Sequence, residues 1–121
     1  MKKNVVREKS YGFALRMIKA YKYLTQEQRE FVLSKQVLRS GTSIGALVKE
    51  AEHAQSRADF IHKMNIALKE ANETEYWLML LKDSGYIEVK TYESIHKDCS
   101  ELIKLLASIV KTTKEIDENK K

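Results

Sequence analysis

The sequence predicts an all-α protein, an up-down-up-down four-helix bundle, and three observations support this prediction. The 121 residues contain no proline and four glycines, and helix formers dominate the remainder. Apolar residues recur every three or four positions in four separate segments. The connections between these segments are short, as they are between antiparallel neighbours in a bundle. We expect one domain over residues 1–121, with a charged tail that frays from about residue 114.

The first two helices are predicted from capping residues and from one apolar stripe. Asn4 is a favourable N-cap for the first helix. The apolar positions of this helix share one face at 100° per residue, and they are Val6, Phe13, Met17, Tyr21 and Leu24. Thr25 and Gln28 have the spacing of a capping box. They predict a second helix that runs to about His53, with Phe31 among its apolar residues.

Two glycines in the second helix predict a close helix–helix crossing. Gly41 and Gly45 lie four residues apart, so they share one face of the helix. Each glycine costs a helix roughly 1 kcal/mol relative to alanine. We therefore expect the backbone of another helix to approach this face closely, because the absence of side chains at the two glycines makes room for it.

The remaining helices are predicted from their ends. Ser56 and Asp59 give the third helix an N-cap hydroxyl and an acidic residue in its first turn. Gly85 is the expected C′ residue of this helix. The fourth helix is predicted to start between Val89 and Tyr92.

The net charge of +5 is unevenly distributed. Residues 1–24 contain seven basic residues and one acidic residue, which leaves residues 25–121 with a net charge of −1. This asymmetry is expected where a protein meets an anionic partner. The first helix is therefore either a solvated outer face or a surface for phosphates. The candidate nucleic-acid contacts are Arg7, Lys9, Arg16, Lys19 and Lys22.

Several classes of protein are disfavoured by the sequence. No apolar run reaches the roughly 18–20 residues of a membrane span, so no membrane association is expected. The N-terminus lacks the apolar region of a signal peptide. Cys99 is the sole cysteine, so no disulfide framework is expected and the cytoplasm is the predicted location.

Four blocks within the stretch from Gln36 to Leu81 carry a resemblance to a known family. The blocks are Arg39 to Ala46, Glu50-Ala51, Ala54 to Phe60, and Lys63 to Leu78. They resemble the four-helix-bundle family named for proteins encoded in intervening sequences of bacterial 23S ribosomal RNA genes. The accessory variability protein of diversity-generating retroelements belongs to the same structural group. Leu47 stands where the family usually has asparagine, and leucine cannot make the hydrogen bonds of an amide.

The resemblance implies an assembly as well as a fold. It implies a four-helix bundle that forms a homo-oligomeric ring, with a pentamer favoured, and nucleic-acid binding for the retroelement branch only. It also marks a set of structural or interface residues: Arg39, Gly41, Ser43, Gly45, Glu50, Asp59, Phe60, Glu70, Glu73, Tyr76 and Trp77. Independently, Tyr76, Trp77 and Leu80 lie partly outside the main apolar stripe of the third helix, which favours an oligomer.

A metal-dependent enzyme is a remote alternative. Glu50 with His53, and Glu93 with His96, both have the Glu-x-x-His spacing of di-iron bundles. However, the first motif lies near the end of the second helix and the other near the start of the fourth. Because these helices run parallel, the motifs are expected about 30 Å apart at 1.5 Å per residue. No catalytic residues, metal ligands or cofactors are predicted.

Two function hypotheses follow. The leading one is a non-enzymatic oligomeric bundle that binds RNA or DNA, or a nucleic-acid-processing protein, through the basic first helix. Its mechanism would be neutralisation of backbone phosphates with little base readout. The alternative is a protein–protein interaction scaffold without nucleic-acid affinity.

Overall fold

The computed structural model describes the backbone of residues 3–119 and the side chains of residues 5–119. Its helices are α1 Lys3–Gln26, α2 Leu33–Glu52, α3 Arg57–Asp83 and α4 Val89–Asn119. Within this part of the chain, α1 and α3 are each adjacent to α2 and α4, whereas no Cα atom of α1 lies within 8 Å of a Cα atom of α3. They therefore occupy diagonal positions of an up-down-up-down four-helix bundle, which confirms the predicted fold. No helix of the described part is long and apolar enough to cross a membrane.

Each helix buries one apolar stripe in a shared core. In α1 the apolar residues Val6, Phe13, Met17 and Leu24 are fully or almost fully buried, as the periodicity predicts, whereas Tyr21 is only partly buried. The core also encloses a polar contact between α2 and α3. There the Thr74 hydroxyl lies 2.8 Å from the Ser40 hydroxyl oxygen, while Ser40 donates to the Gln36 carbonyl at 3.0 Å. Both hydroxyls are thus satisfied away from water.

The predicted start of α2 is wrong. Thr25 lies within the last turn of α1, where its hydroxyl donates to the Tyr21 carbonyl at 2.8 Å. The N-terminus of α2 is capped instead by Glu30, whose carboxylate accepts hydrogen bonds from three consecutive backbone N–H groups, those of Val32, Leu33 and Ser34. Phe31, predicted in the second helix, lies in the connection and is half exposed.

The Glu30 carboxylate is held ionised in a buried position. Desolvation by burial opposes ionisation, but the backbone N–H donors of α2 outweigh it and hold the pKa of Glu30 below its ordinary value. The preceding residue, Arg29, has a φ of 54°, a left-handed conformation that is uncommon outside glycine and asparagine. Together these two residues turn the chain from α1 into α2.

The predicted close crossing is formed by α1 and α2. A Cβ atom at Gly41 would lie 2.3 Å from Cγ of Met17, which is fully buried. A Cβ atom at Gly45 would lie 3.3 Å from the Ser10 carbonyl oxygen. Because the glycines lack this atom, the two helices can approach closely.

The observed ends of α1, α3 and α4 agree with the predicted ends to different degrees. Asn4 lies in a helix whose first described residue is Lys3, and its side chain is outside the described residues. Ser56 caps α3 by accepting a hydrogen bond from the Asp59 N–H at 3.0 Å, and Gly85 after α3 has a φ of 83°. The tail expected to fray from residue 114 is helical as far as Asn119, while residues 120–121 lie outside the described part.

Candidate interaction surfaces

Two of the five candidate nucleic-acid contacts pair with α4. Lys9 Nζ lies 3.0 Å from Glu101 Oε2, and this hydrogen bond raises the pKa of Lys9. Arg16 Nη1 lies 2.7 Å from Asp98 Oδ2 and also contacts the Ser94 carbonyl at 3.3 Å. These side chains therefore lie on the flank of α1 that faces α4.

The other three candidates divide between a second flank and the outer face of α1. Arg7 Nη1 lies 3.3 Å from Glu52 Oε2 of α2. Lys19 and Lys22 are exposed, and they form no ion pair among residues 5–119. The structure thus brings Lys19 and Lys22 together, since residues three apart are neighbours on a helix. It does not gather the five candidates on one surface.

The family-motif residues form an ion-pair cluster between α2 and α3. Arg39 Nη2 lies 2.7 Å from Glu73 Oε1, and Nη1 lies 3.3 Å from Glu70 Oε2. The hydrogen bond with Glu70 is the largest cause of a raised pKa at Arg39. The Trp77 indole N–H donates to Glu73 at 3.3 Å. Oε1 of Glu70 is buried and has no hydrogen-bond partner in the described part of the chain.

Other motif residues have local roles. The Ser43 hydroxyl donates to the Arg39 carbonyl at 2.6 Å, which satisfies it within its own helix. Glu50 pairs with Lys63 of α3 at 3.0 Å, so it does not join the Arg39 cluster. Phe60 is partly buried and packs against the core.

The two Glu-x-x-His motifs each have a residue that pairs elsewhere in the bundle. Glu50 of the first Glu-x-x-His motif binds Lys63, whereas His96 of the second lies 2.8 Å from Glu75. Among residues 5–119, no group of three or more His, Cys, Asp and Glu side chains is placed to hold a metal ion. Burial raises the pKa of Cys99 to about 12, so this thiol stays protonated and is a poor nucleophile.

The outer face of α1 carries an apolar stripe that the sequence reasoning did not identify as a site. Tyr11, Leu15 and Ile18 are 66%, 52% and 40% exposed, and their spacing places them on one side of the helix. We call these three residues the α1 apolar face. The sequence contains this second helical pattern, at positions i, i+4 and i+7, beside the buried stripe that accounts for the amphipathicity of α1.

A second exposed apolar surface lies on α3. Tyr76 is 55% exposed and Met79 is 43% exposed, and we call these two residues the α3 apolar face. The Trp77 ring packs edge-on against Tyr76, with 5.3 Å between the ring centroids. Because the Trp77 indole hydrogen-bonds to Glu73, the α3 apolar face lies next to the ion-pair cluster between α2 and α3.

Comparisons with known proteins agree with this architecture. The family model described as 23S rRNA-intervening sequence protein matches residues 2–108. A crystal structure of a protein of unknown function from the S23 ribosomal protein family, from Bacteroides thetaiotaomicron VPI-5482, has 65% sequence identity. The match covers 92% of this chain and 99% of that chain, with a TM-score of 0.90. The comparison with curated proteins finds no match.

Proposed function

The chain belongs to the 23S rRNA-intervening sequence protein family, and we propose that it is a non-enzymatic, self-assembling helical scaffold. The exposed α1 apolar face is the observation that carries the proposal. Neighbouring exposed apolar side chains on one helix are typical of an interaction surface, whereas singly scattered ones are normal on a monomer. Each such side chain contributes about 1.5–3 kcal/mol when it is fully removed from water.

The distribution of polar groups supports a scaffold over an enzyme. Arg39 and Arg16 are held by carboxylates, His96 is held by Glu75, and the Cys99 thiol is buried. Each of these groups therefore has a partner or a buried position within the bundle. His53 and His62 are exposed, but neither side chain hydrogen-bonds to another side chain within residues 5–119, as the nucleophile–base pair of a catalytic site would.

The resemblance supports a particular size for the assembly. The family resemblance favours a ring of five chains, and we propose a pentamer in the cytoplasm, the compartment that the single cysteine predicts. Size-exclusion chromatography with multi-angle light scattering tests this directly. We expect one species with the mass of five chains, stable over a tenfold dilution. A species with the mass of a single chain at every concentration would overturn the proposal.

Nucleic-acid binding is a second candidate function, favoured by Lys19 and Lys22. These side chains are exposed and are not neutralised by any described carboxylate, and a ring would repeat them once per chain. Lysines repeated in this way could neutralise several phosphates of one nucleic acid. The family description refers to 23S rRNA, so RNA is the first probe to use.

The test for this candidate compares two pairs of lysines with the same spacing. Fluorescence anisotropy with a labelled 23S rRNA fragment is measured for Lys19→Gln/Lys22→Gln and for the control Lys111→Gln/Lys114→Gln. If the candidate is right, the α1 pair weakens binding about tenfold and makes it less dependent on salt, while the α4 pair has a much smaller effect. Equal losses in both variants, or no binding of wild-type protein at low salt, would overturn it.

A further inference from the structure

We propose that the end of the bundle where α1 and α3 begin binds a small amphipathic carboxylate. The apolar part of this ligand lies in a cleft of the core, and its carboxylate lies at the rim of the cleft. The cleft has a volume of about 770 Å³, which is typical of small-molecule sites. Self-assembly of the chain neither requires nor excludes such a site, so this inference goes beyond the function proposed above.

The cleft lies between α1 and α4, past the ion pair that joins these helices nearest this end. Of the adjacent helix pairs, α1 and α4 pack against each other least extensively. Lys9 of α1 reaches Glu101 of α4 at 3.0 Å. Beyond this pair the cleft is lined by Val6 on the α1 side and by Leu105 and Ile109 on the α4 side. The gap between the two helices therefore gives access to the inner faces of α2 and α3.

The lining of the cleft is mainly apolar and comes from all four helices. Val6, Val48 and Met64 belong to the buried core, and partly buried side chains pack around them. The large apolar side chains that line the cleft are Val6, Val48, Phe60, Met64, Leu105 and Ile109. Protein interiors leave few voids, whereas an apolar cleft with a few polar groups at its rim is the usual form of a ligand site. The body of the ligand is therefore a hydrocarbon chain or ring.

The rim of the cleft carries more hydrogen-bond donors than acceptors. Arg7 contacts Glu52 through Nη1 alone, at 3.3 Å, so other N–H groups of its guanidinium are open to a ligand. The Ser56 hydroxyl accepts a hydrogen bond from the Asp59 N–H at 3.0 Å, and its own hydrogen has no acceptor within residues 5–119. The imidazole of His53 is exposed at the same rim. A ligand that binds here must supply acceptors.

A carboxylate is the head group that this rim favours. Glu52 is the sole acidic side chain among the described residues of the rim, and it is already paired with Arg7. That pair is exposed and therefore worth little, so Arg7 can turn from Glu52 to a ligand at small cost. Bonds between a guanidinium and a carboxylate are charge-assisted and can be bidentate. Beside an apolar cleft they are stronger than in open water.

Octanoate and 1-octanol test the two parts of the site separately, because the probes have equal chain lengths and differ in the charge of the head group. Titration of the full chain, followed by the methyl NMR signals of the protein, measures both affinities. We expect one saturable octanoate site per chain and binding of 1-octanol that is about tenfold weaker. Absence of saturable octanoate binding would overturn the site, and equal affinities would overturn the carboxylate.

The same NMR signals locate the bound chain. Methyl groups of Val6, Val48 and Ile109 should shift during the octanoate titration because they line the cleft. The methyl groups of Ile87, which follows α3 at the opposite end of the bundle, should not shift. Shifts at Ile87 that matched or exceeded those in the cleft would place the probe elsewhere and contradict the proposal.

Arg7→Gln removes the charge that is assigned to the head group. It should weaken octanoate binding about tenfold, since hydrogen bonds to charged groups are the stronger ones, and leave 1-octanol binding unchanged. Arg16→Gln is the matched control, because Arg16 also lies on α1 and pairs with a carboxylate but does not line the cleft. An Arg7→Gln variant that binds octanoate as well as Arg16→Gln does would show that the rim does not select an anion.

Ala54→Leu fills the mouth of the cleft and tests the apolar part. Ala54 lines the cleft and is partly buried, so the larger side chain should weaken both probes several-fold. Ala107→Leu, at an exposed position of α4 outside the cleft, should weaken neither. Circular dichroism checks that each variant is folded, and full octanoate affinity in folded Ala54→Leu would contradict the placement. If Ala54→Leu does not fold, the methyl shifts and Arg7→Gln decide the question.

Failure of this inference is distinguishable from failure of the proposed scaffold. Light scattering reports the mass of the assembly, whereas the titrations report a site within each chain. A monomeric chain that binds octanoate overturns self-assembly and supports the cleft. An assembled chain that does not bind octanoate overturns the cleft and leaves self-assembly intact.

Discussion

On its α2 flank, helix α1 packs by shape, whereas on its α4 flank it is held by exposed ion pairs. Towards α2, Met17 fills the space above Gly41, where even one added carbon would clash. Towards α4, where packing is less extensive, Lys9 and Arg16 reach across to carboxylates. Burial and close packing are costly to disturb, whereas exposed ion pairs are worth little. The difference implies that α1 is anchored mainly through α2.

The largest effect is expected at the glycine crossing. Gly41→Val adds carbon atoms where Met17, fully buried, has no room to move away. Overpacking of this kind costs about 2–3 kcal/mol, which outweighs the gain in helix propensity over glycine. Urea denaturation at a fixed chain concentration measures the loss, because the stability of an assembly depends on concentration.

Gly12 provides a matched control on the opposite side of α1. A Cβ atom at this position would meet nothing within 4 Å. Gly12→Ala should therefore stabilise the protein by up to roughly 1 kcal/mol through helix propensity alone. Gly41→Ala adds the same single carbon beside Met17 and should be destabilising. If it were as well tolerated as Gly12→Ala, the α2 flank would not be the tightly packed anchor that the geometry indicates.

An intermediate effect is expected at the cap that starts α2 and so sets how α2 meets α1. Glu30→Gln removes the charge that accepts hydrogen bonds from Val32, Leu33 and Ser34. We expect a loss of about 1–2 kcal/mol, since capping bonds and charge-assisted bonds are worth this much. Glu27→Gln, at an exposed position in the same connection, should change stability by much less.

The stability that the Glu30 carboxylate contributes to the folded chain should also depend on pH. The pKa of Glu30 is lower in the folded chain than its ordinary value of 4.5. A carboxyl of this kind contributes its full stability above the unfolded pKa, and the contribution is lost as the pH falls through the folded pKa. The stability difference between wild type and Glu30→Gln should thus be constant at neutral pH and shrink below about pH 4.5. A difference that grew on acidification would contradict the assigned cap.

The contrast between the two flanks also explains what the sequence could predict. The Gly41–Gly45 spacing and the buried stripe of α1 are local patterns. Each predicts that another helix packs against it, however the helices are aligned along the bundle. The pairing of Arg16 with Asp98 joins residues 82 positions apart, and it depends on how α1 and α4 are aligned. Charge in the sequence located the basic helix but did not reveal which carboxylates would face it.

The error at the start of α2 has a similar cause. Thr25 and Gln28 match a capping box, but the helical register of α1 continues through Thr25. The actual cap uses Glu30 and a left-handed Arg29, and neither residue type is a standard signal for such a turn. Local chemistry therefore predicted Ser56 and Gly85 correctly, where cap and turn use their preferred residues, and failed where the chain used uncommon ones.

The smallest effect is expected on the α4 flank. Asp98→Asn removes one partner of Arg16, which still contacts the Ser94 carbonyl. We expect a loss below about 1 kcal/mol that declines with added salt, since both side chains are partly exposed. A double-mutant cycle with Arg16→Gln isolates the coupling energy.

The size of this coupling bears on both candidate functions. If Arg16 is coupled to Asp98 by less than about 1 kcal/mol, it can exchange that carboxylate for a phosphate at little cost. Arg16 then adds to Lys19 and Lys22 as a potential contact for nucleic acid. A coupling above roughly 2 kcal/mol would contradict the exposed geometry and tie Arg16 to the bundle. The basic side chains of α1 would then act mainly in folding and assembly. This result would favour the scaffold function.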